Sequence, residues 1–138
     1  MPMRTPIWAL GLVTVVMVAL AAAQTGPKAG GVEVLEGTWK GAILVRATNT
    51  TVGVRTKVEK DGGYVSEPLG SGRWVSKGVF KGQDGKFTWE ATTTNPDNRN
   101  NPVAQTSGTA TLEVVDGKEV LTVISSTTGN TATSQREK

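Results

Sequence analysis

Residues 51–69 read TVGVRTKVEKDGGYVSEPL, a strand, a tight turn and a returning strand. Val52, Val54, Thr56 and Val58 alternate with Thr51, Arg55, Lys57 and Glu59, the two-residue period of a half-buried strand. Asp61-Gly62 follows, a pair that tolerates the positive φ of a hairpin turn. Tyr64–Leu69 then reads as a shorter strand. Its Pro68, without an N–H to give to a ladder, marks a strand end or an edge.

The same pattern extends in both directions. Upstream, Thr38–Ala47 puts Trp39, Gly41, Ile43 and Val45 on one face. Downstream, Gly72–Phe80 groups Trp74, Ser76, Gly78 and Phe80, and Lys86–Thr93 groups Phe87, Trp89 and Ala91. Thr106–Val115, Glu119–Ser125 and Thr131–Arg136 complete eight strands, and no helical period with capping signals interrupts them. Asp84-Gly85 and Asp116-Gly117 repeat the Asp-Gly turn signal. In an up-and-down meander these tight turns share one end. The connections Thr48–Thr50, Gly70–Ser71, Thr94–Gln105 and Ser126–Asn130 share the other. The expected fold is all-β: an eight-stranded antiparallel meander closed into a small barrel, which removes exposed sheet edges. Such a barrel is either filled by side chains or holds one small ligand. The loop-bearing end would be its mouth.

The ends of the chain suggest where the domain goes. Arg4 precedes an apolar run from Ile7, and Ala21-Ala22-Ala23 supplies the small residues read at a cleavage site. Residues 1–23 are therefore expected to be a signal peptide, delivering an exported protein, secreted or periplasmic. Gln24–Val34 is Gly-rich and polar and reads as a flexible leader, leaving residues 35–136 as the barrel domain. Loss of Arg4 takes the net charge from +3 to +2, too small and too evenly spread to argue for a nucleic-acid partner. Charges on the outward strand faces oppose a lipid-facing barrel, so no membrane insertion is expected after cleavage.

Composition also excludes chemistries. The chain has neither Cys nor His. Disulfides, thiol nucleophiles, serine–histidine catalysis and histidine-ligated zinc are thereby ruled out. Glu90 and Glu113 fall on outward faces of neighbouring strands, a surface pattern rather than a glycosidase pair. The single Asp97 in the long loop is poor charge compensation for calcium. No enzyme activity, metal or cofactor is expected.

Gly37-Thr38-Trp39 at the start of the first strand, with Arg136 late in the last, resembles the calycin superfamily of lipocalins and avidins. That resemblance implies a Trp plugging the closed end of an eight-stranded barrel and a basic residue packed across it, roles that would fall to Trp39 and Arg136. Avidins carry an Asn two residues after that Trp. Gly41 stands there instead, so biotin binding is not carried over.

Two functional readings follow. In the first, the barrel binds a small apolar or amphipathic molecule. Trp74, Phe80, Phe87 and Trp89 would form an aromatic wall, Tyr64 and Ser76 would be polar handles, and Asn95, Asp97, Asn98 and Arg99 would make contacts from the long loop. The small inward residues Gly41, Ala91, Gly108 and Ala110 would either leave space or accommodate the tryptophans. In the second, the domain is a protein–protein module, such as an inhibitor of a secreted enzyme or an envelope assembly factor, working through residues 24–32 or the Asn95–Pro102 loop. Asn49-Thr50-Thr51 is in addition a glycosylation sequon, relevant only where secreted proteins are glycosylated.

Overall fold

A computed structural model describes residues 25–137; the expected signal peptide lies outside the described residues. The chain is all-β. A two-residue strand, β1 (Gly26–Pro27), and one 3₁₀ turn (Val32–Leu35) precede β2 (Gly37–Val45), β3 (Thr50–Val58) and β4 (Gly63–Pro68). Then come β5 (Val75–Gln83), β6 (Lys86–Thr94), β7 (Val103–Val115), β8 (Lys118–Ser125) and β9 (Thr131–Arg136). Each of β2 to β9 pairs antiparallel with its neighbour in sequence, and β9 pairs with β2 to close an eight-stranded up-and-down barrel.

The turns set the register. Gln83 pairs with Lys86 across Asp84 and Gly85, and Val115 with Lys118 across Asp116 and Gly117. Both residues of each turn have positive φ, as a twist-matched two-residue hairpin requires. The β3–β4 connection is one residue longer: Glu59 N–H donates to Gly63 O, and only Gly62 is at positive φ. These three turns lie together at one end of the barrel.

Alternation sends one set of side chains inward. The resulting core occupies the tight-turn end and includes Leu35, Trp39, Val58, Phe80, Leu112 and Leu121, all nearly or wholly inaccessible. Gly41 and Gly108 serve closure here rather than space. A Cβ on Gly41 would lie 1.9 Å from Thr133 O, and one on Gly108 would lie 1.9 Å from Ile124 O. The neighbouring backbones approach too closely there for any side chain.

Three expectations are corrected. First, the Gly-rich segment is not a free leader in the structure. β1 pairs with Val114 and Glu113, Lys28 N–H donates to Leu112 O (3.0 Å), and Gly30 and Asp84 exchange hydrogen bonds. Strand β7 outruns β6 at this point, and the segment covers the edge so exposed. The 3₁₀ turn then drops Leu35 into the end of the barrel, with Val32 and Val34 packed against the core. Second, β5 begins at Val75, not Gly72, because the Gly70–Gly72 stretch stays in the loop; Trp74 immediately precedes the strand. Third, β7 begins at Val103, not Thr106. Asn95 N–H donates to Pro102 O (2.7 Å), closing the loop's base and shortening it to Asn95–Pro102.

Candidate ligand cavity at the loop end

The two ends differ in their filling. At the closed end the Arg136 guanidinium lies over the Trp39 ring, 4.4 Å from its centroid. It donates from Nε to Glu119 Oε2 (2.7 Å), from Nη2 to Val34 O (2.7 Å) and from Nη1 to Glu36 O. Trp39 Nε1 donates to Leu35 O at 2.9 Å. One cation thus ties β9, β8 and the segment before β2 across the tryptophan that plugs the barrel. Partial burial alone would raise the Glu119 pKa, but the hydrogen bond and charge of Arg136, with Lys28 3.6 Å away, lower it below the usual glutamate value.

At the loop end the barrel is not filled. A cavity of about 510 Å³ lies among the loops and the upper strands. Its apolar wall includes Ile43 and Val45 of β2, Val52 of β3, Val123 of β8 and Ala132 of β9. Trp74 stands at one side. Trp89 and Val123 line the cavity and also contact the closed-end core, so they mark the boundary between hollow and solid. Polar groups come from Ser76, Thr93, Thr106, Ser125 and Thr128, with Asn95, Asn98 and Asn130 from the loops. Among the described residues, no ionisable side chain lines the cavity.

The walls are internally bonded. Ser76 and Thr93 share a hydrogen bond between paired strands β5 and β6. Trp89 Nε1 donates to Thr109 O (3.1 Å), so its indole N–H is taken. Ser125 Oγ accepts from Thr128 N–H (3.1 Å), and Thr128 Oγ1 from Asn130 N–H (3.2 Å), which folds the β8–β9 loop over the rim. Across the mouth, Arg73 Nε donates to Asp97 Oδ1 (2.9 Å). This pair joins the β4–β5 loop, which positions Trp74, to the loop that carries Asn95 and Asn98.

Of the residues expected to meet a ligand, Trp74, Ser76, Trp89, Asn95 and Asn98 line this cavity. Tyr64 does not. It is buried in the closed-end core with its ring centroid 4.5 Å from that of Phe80, and burial pushes its hydroxyl pKa far above the ordinary value. Asp97 and Arg99 are exposed on the long loop, outside the lining. Phe80 and Phe87 likewise belong to the core, and none of Gly41, Ala91, Gly108 and Ala110 lines the cavity. Asn130, Val123 and Ala132 carry no motif or turn signal that marks them in the sequence. Strand parity offered a signal for the last two, as Ile43 and Val45 had already been placed inward.

The remaining candidates stand apart from this site. Asn49 is exposed in the β2–β3 turn at positive φ. Glu90 pairs with Ser107, six positions before Glu113 on β7, so the two carboxylates are about 20 Å apart along the sheet. No protein-family model, curated protein or solved structure matches this chain.

Proposed function

We propose that this chain is an exported binding module whose barrel takes one small apolar or amphipathic molecule through the loop end. The observation that carries the reading is the cavity itself. Its volume of about 510 Å³ falls within the roughly 300–1,000 Å³ usual for small-molecule sites. Aliphatic walls, two tryptophans and a few placed hydroxyl and amide groups are the usual composition of such sites. The cavity's uncharged lining favours binding over acid–base chemistry. The solid, latched closed end leaves the loop end as the point of access. The calycin resemblance agrees with this reading through its plugged barrel, and the signal-like N-terminus agrees with an extracytoplasmic site of action.

The test is a tryptophan fluorescence titration of the chain from Gln24 onward against a panel of lipids and aromatics. Ligands are expected to shift or quench emission, and Trp74→Ala is expected to weaken them about tenfold or more. No response to any ligand would contradict the reading.

The protein-interaction alternative draws on a different surface. Leu44 of β2, Thr131 of β9 and Ile124 of β8 form a row across three strands, and both apolar residues are 43% exposed. The ordered packing of residues 26–35 argues against contact through a loose leader. A partner would instead meet this outer face or the Asn95–Pro102 loop.

A further inference from the structure

We propose that the ligand is an amphipath with an anionic, hydrogen-bond-accepting head, bound tail-first, and that Asn95, Asn98 and Asn130 select that head. This rests on the ligand-binding reading above and concerns what the mouth of the cavity can satisfy.

An asparagine amide has one accepting oxygen and an NH₂ group that only donates. At all three rim positions the oxygen is already engaged by a backbone N–H. Asn95 Oδ1 accepts from Asp97 (3.0 Å), Asn98 Oδ1 from Asn101 (3.2 Å) and Asn130 Oδ1 from Arg46 (3.0 Å). A backbone N–H can be met only by the oxygen, so these bonds fix which way each amide is turned. Each residue then keeps both NH₂ donors free, with its oxygen turned toward the loop backbone. A head group rich in acceptors completes these amides. A cationic ammonium head brings no acceptor for these donors.

Charge points the same way. The four connections at this end carry Arg46, Arg73 and Arg99 against a single acid, Asp97. Asp97 is already held by Arg73. The Arg46 side chain lies against Gly129, next to Asn130: a Cβ on Gly129 would be 3.2 Å from Arg46 Cδ and 3.6 Å from its Nη1. The field at the mouth is therefore positive, attracting an anion and repelling a cation. Below the rim, Ile43, Val52, Val123 and Trp89 suit an alkyl chain and offer a carboxylate nothing. Head outward and tail inward is the one orientation that satisfies both zones.

The test compares three probes of equal chain length, below their micelle concentrations: dodecanoate, dodecan-1-ol and dodecyltrimethylammonium. Affinities are read by tryptophan fluorescence and calorimetry on the chain from Gln24 onward. Dodecanoate is expected to bind at least tenfold tighter than dodecyltrimethylammonium, with the alcohol between. Asn98→Asp and Asn130→Asp keep an oxygen for the loop N–H but replace the free donors with a second acceptor. Each is expected to weaken dodecanoate at least tenfold, to leave the alcohol nearly unchanged and to strengthen the cation, with the thermal midpoint retained. If a variant does not fold, the ranking of probes on the unmodified chain decides. Equal binding of all three probes would overturn the head-group assignment while leaving the cavity as a binding site. Binding of none would overturn both.

Discussion

Arg136 shows how much a single side chain can hold. Its guanidinium covers Trp39 and donates to Glu119 and to two backbone carbonyls before β2. Cation–π contacts of this kind contribute about 0.5–2 kcal/mol and charge-assisted hydrogen bonds about 1.5–3 kcal/mol, without simple additivity. Arg136→Ala is expected to destabilise by about 2–4 kcal/mol. Trp39→Ala is expected to cost about 3–5 kcal/mol as a fully buried truncation. Differential scanning calorimetry checks both; a change of only a degree or two in Tm would deny Trp39 its place in the core. The partner Glu119 makes the latch sensitive to acid. Its pKa is depressed in the fold, so its stabilisation is full above the ordinary glutamate value of about 4.3 and is lost as pH falls through the lower folded value. Glu119→Gln is expected to flatten the acid limb of a Tm-against-pH curve. Tyr64, the chain's single tyrosine, gives the opposite sign. Its raised pKa keeps the phenol neutral in the fold, so stability is lost as pH rises above about 10. Phenolate absorbance is expected to appear only with alkaline unfolding. A titration at the ordinary phenol pKa in the folded protein would show Tyr64 to be accessible.

Among the elements, the hairpins were the most legible in sequence and the N-terminal segment the least. Asp84-Gly85 and Asp116-Gly117 could be read locally because the turn's backbone demands are met by the two residues themselves. The glycines of residues 24–34 were ambiguous for a physical reason. The freedom that lets glycine be flexible also lets Gly30 adopt φ 118° and bond to the Asp84 turn, a partner 54 residues away. Nothing local announces that β7 outruns β6 and needs cover. Deletion of residues 25–34 is accordingly expected to destabilise the barrel by several kcal/mol, through loss of the edge pairing and of the packing of Val32 and Val34, read as an earlier urea midpoint. An unchanged midpoint would restore the free leader. At the mouth, the exposed Arg73–Asp97 pair is expected to add little to global stability. Asp97→Ala should instead loosen Trp74, weakening ligand binding while leaving Tm within about a degree.

For the whole molecule, the alternation of side chains determines that a barrel forms, and the distribution of bulk determines where it is hollow. Trp39, Phe80, Phe87, Leu112 and Leu121 crowd the tight-turn half. Toward the loops many inward positions are smaller, among them Val52, Ser76, Thr93, Thr106 and Ala132, and space is left. Half of this site was readable from the sequence. Trp74, Ser76, Trp89 and Asn95 could be placed at the loop end by strand parity and topology. Asn98 could be placed with the long loop, but Asn130 could not, because only closure of β9 on β2 brings it to the Arg46 N–H, 84 residues away, that holds it at the rim. Tyr64 lies in the closed-end core and Arg99 on the loop outside the lining, a distinction of depth that residue type does not carry. A bound ligand is expected to raise Tm in proportion to the logarithm of its excess over Kd, since it binds the folded state alone.

Single-tryptophan quenching tests the central claim most directly. Three variants of the chain from Gln24 onward, which leaves out Trp8, each keep one of Trp39, Trp74 and Trp89 with the others replaced by Phe, and are titrated with a brominated medium-chain fatty acid. Quenching is expected for Trp74 and for Trp89, which line the cavity, and not for Trp39, sealed under Arg136 at the far end. Quenching of Trp39 alone, or of none of the three, would contradict a ligand site at the loop end of this barrel.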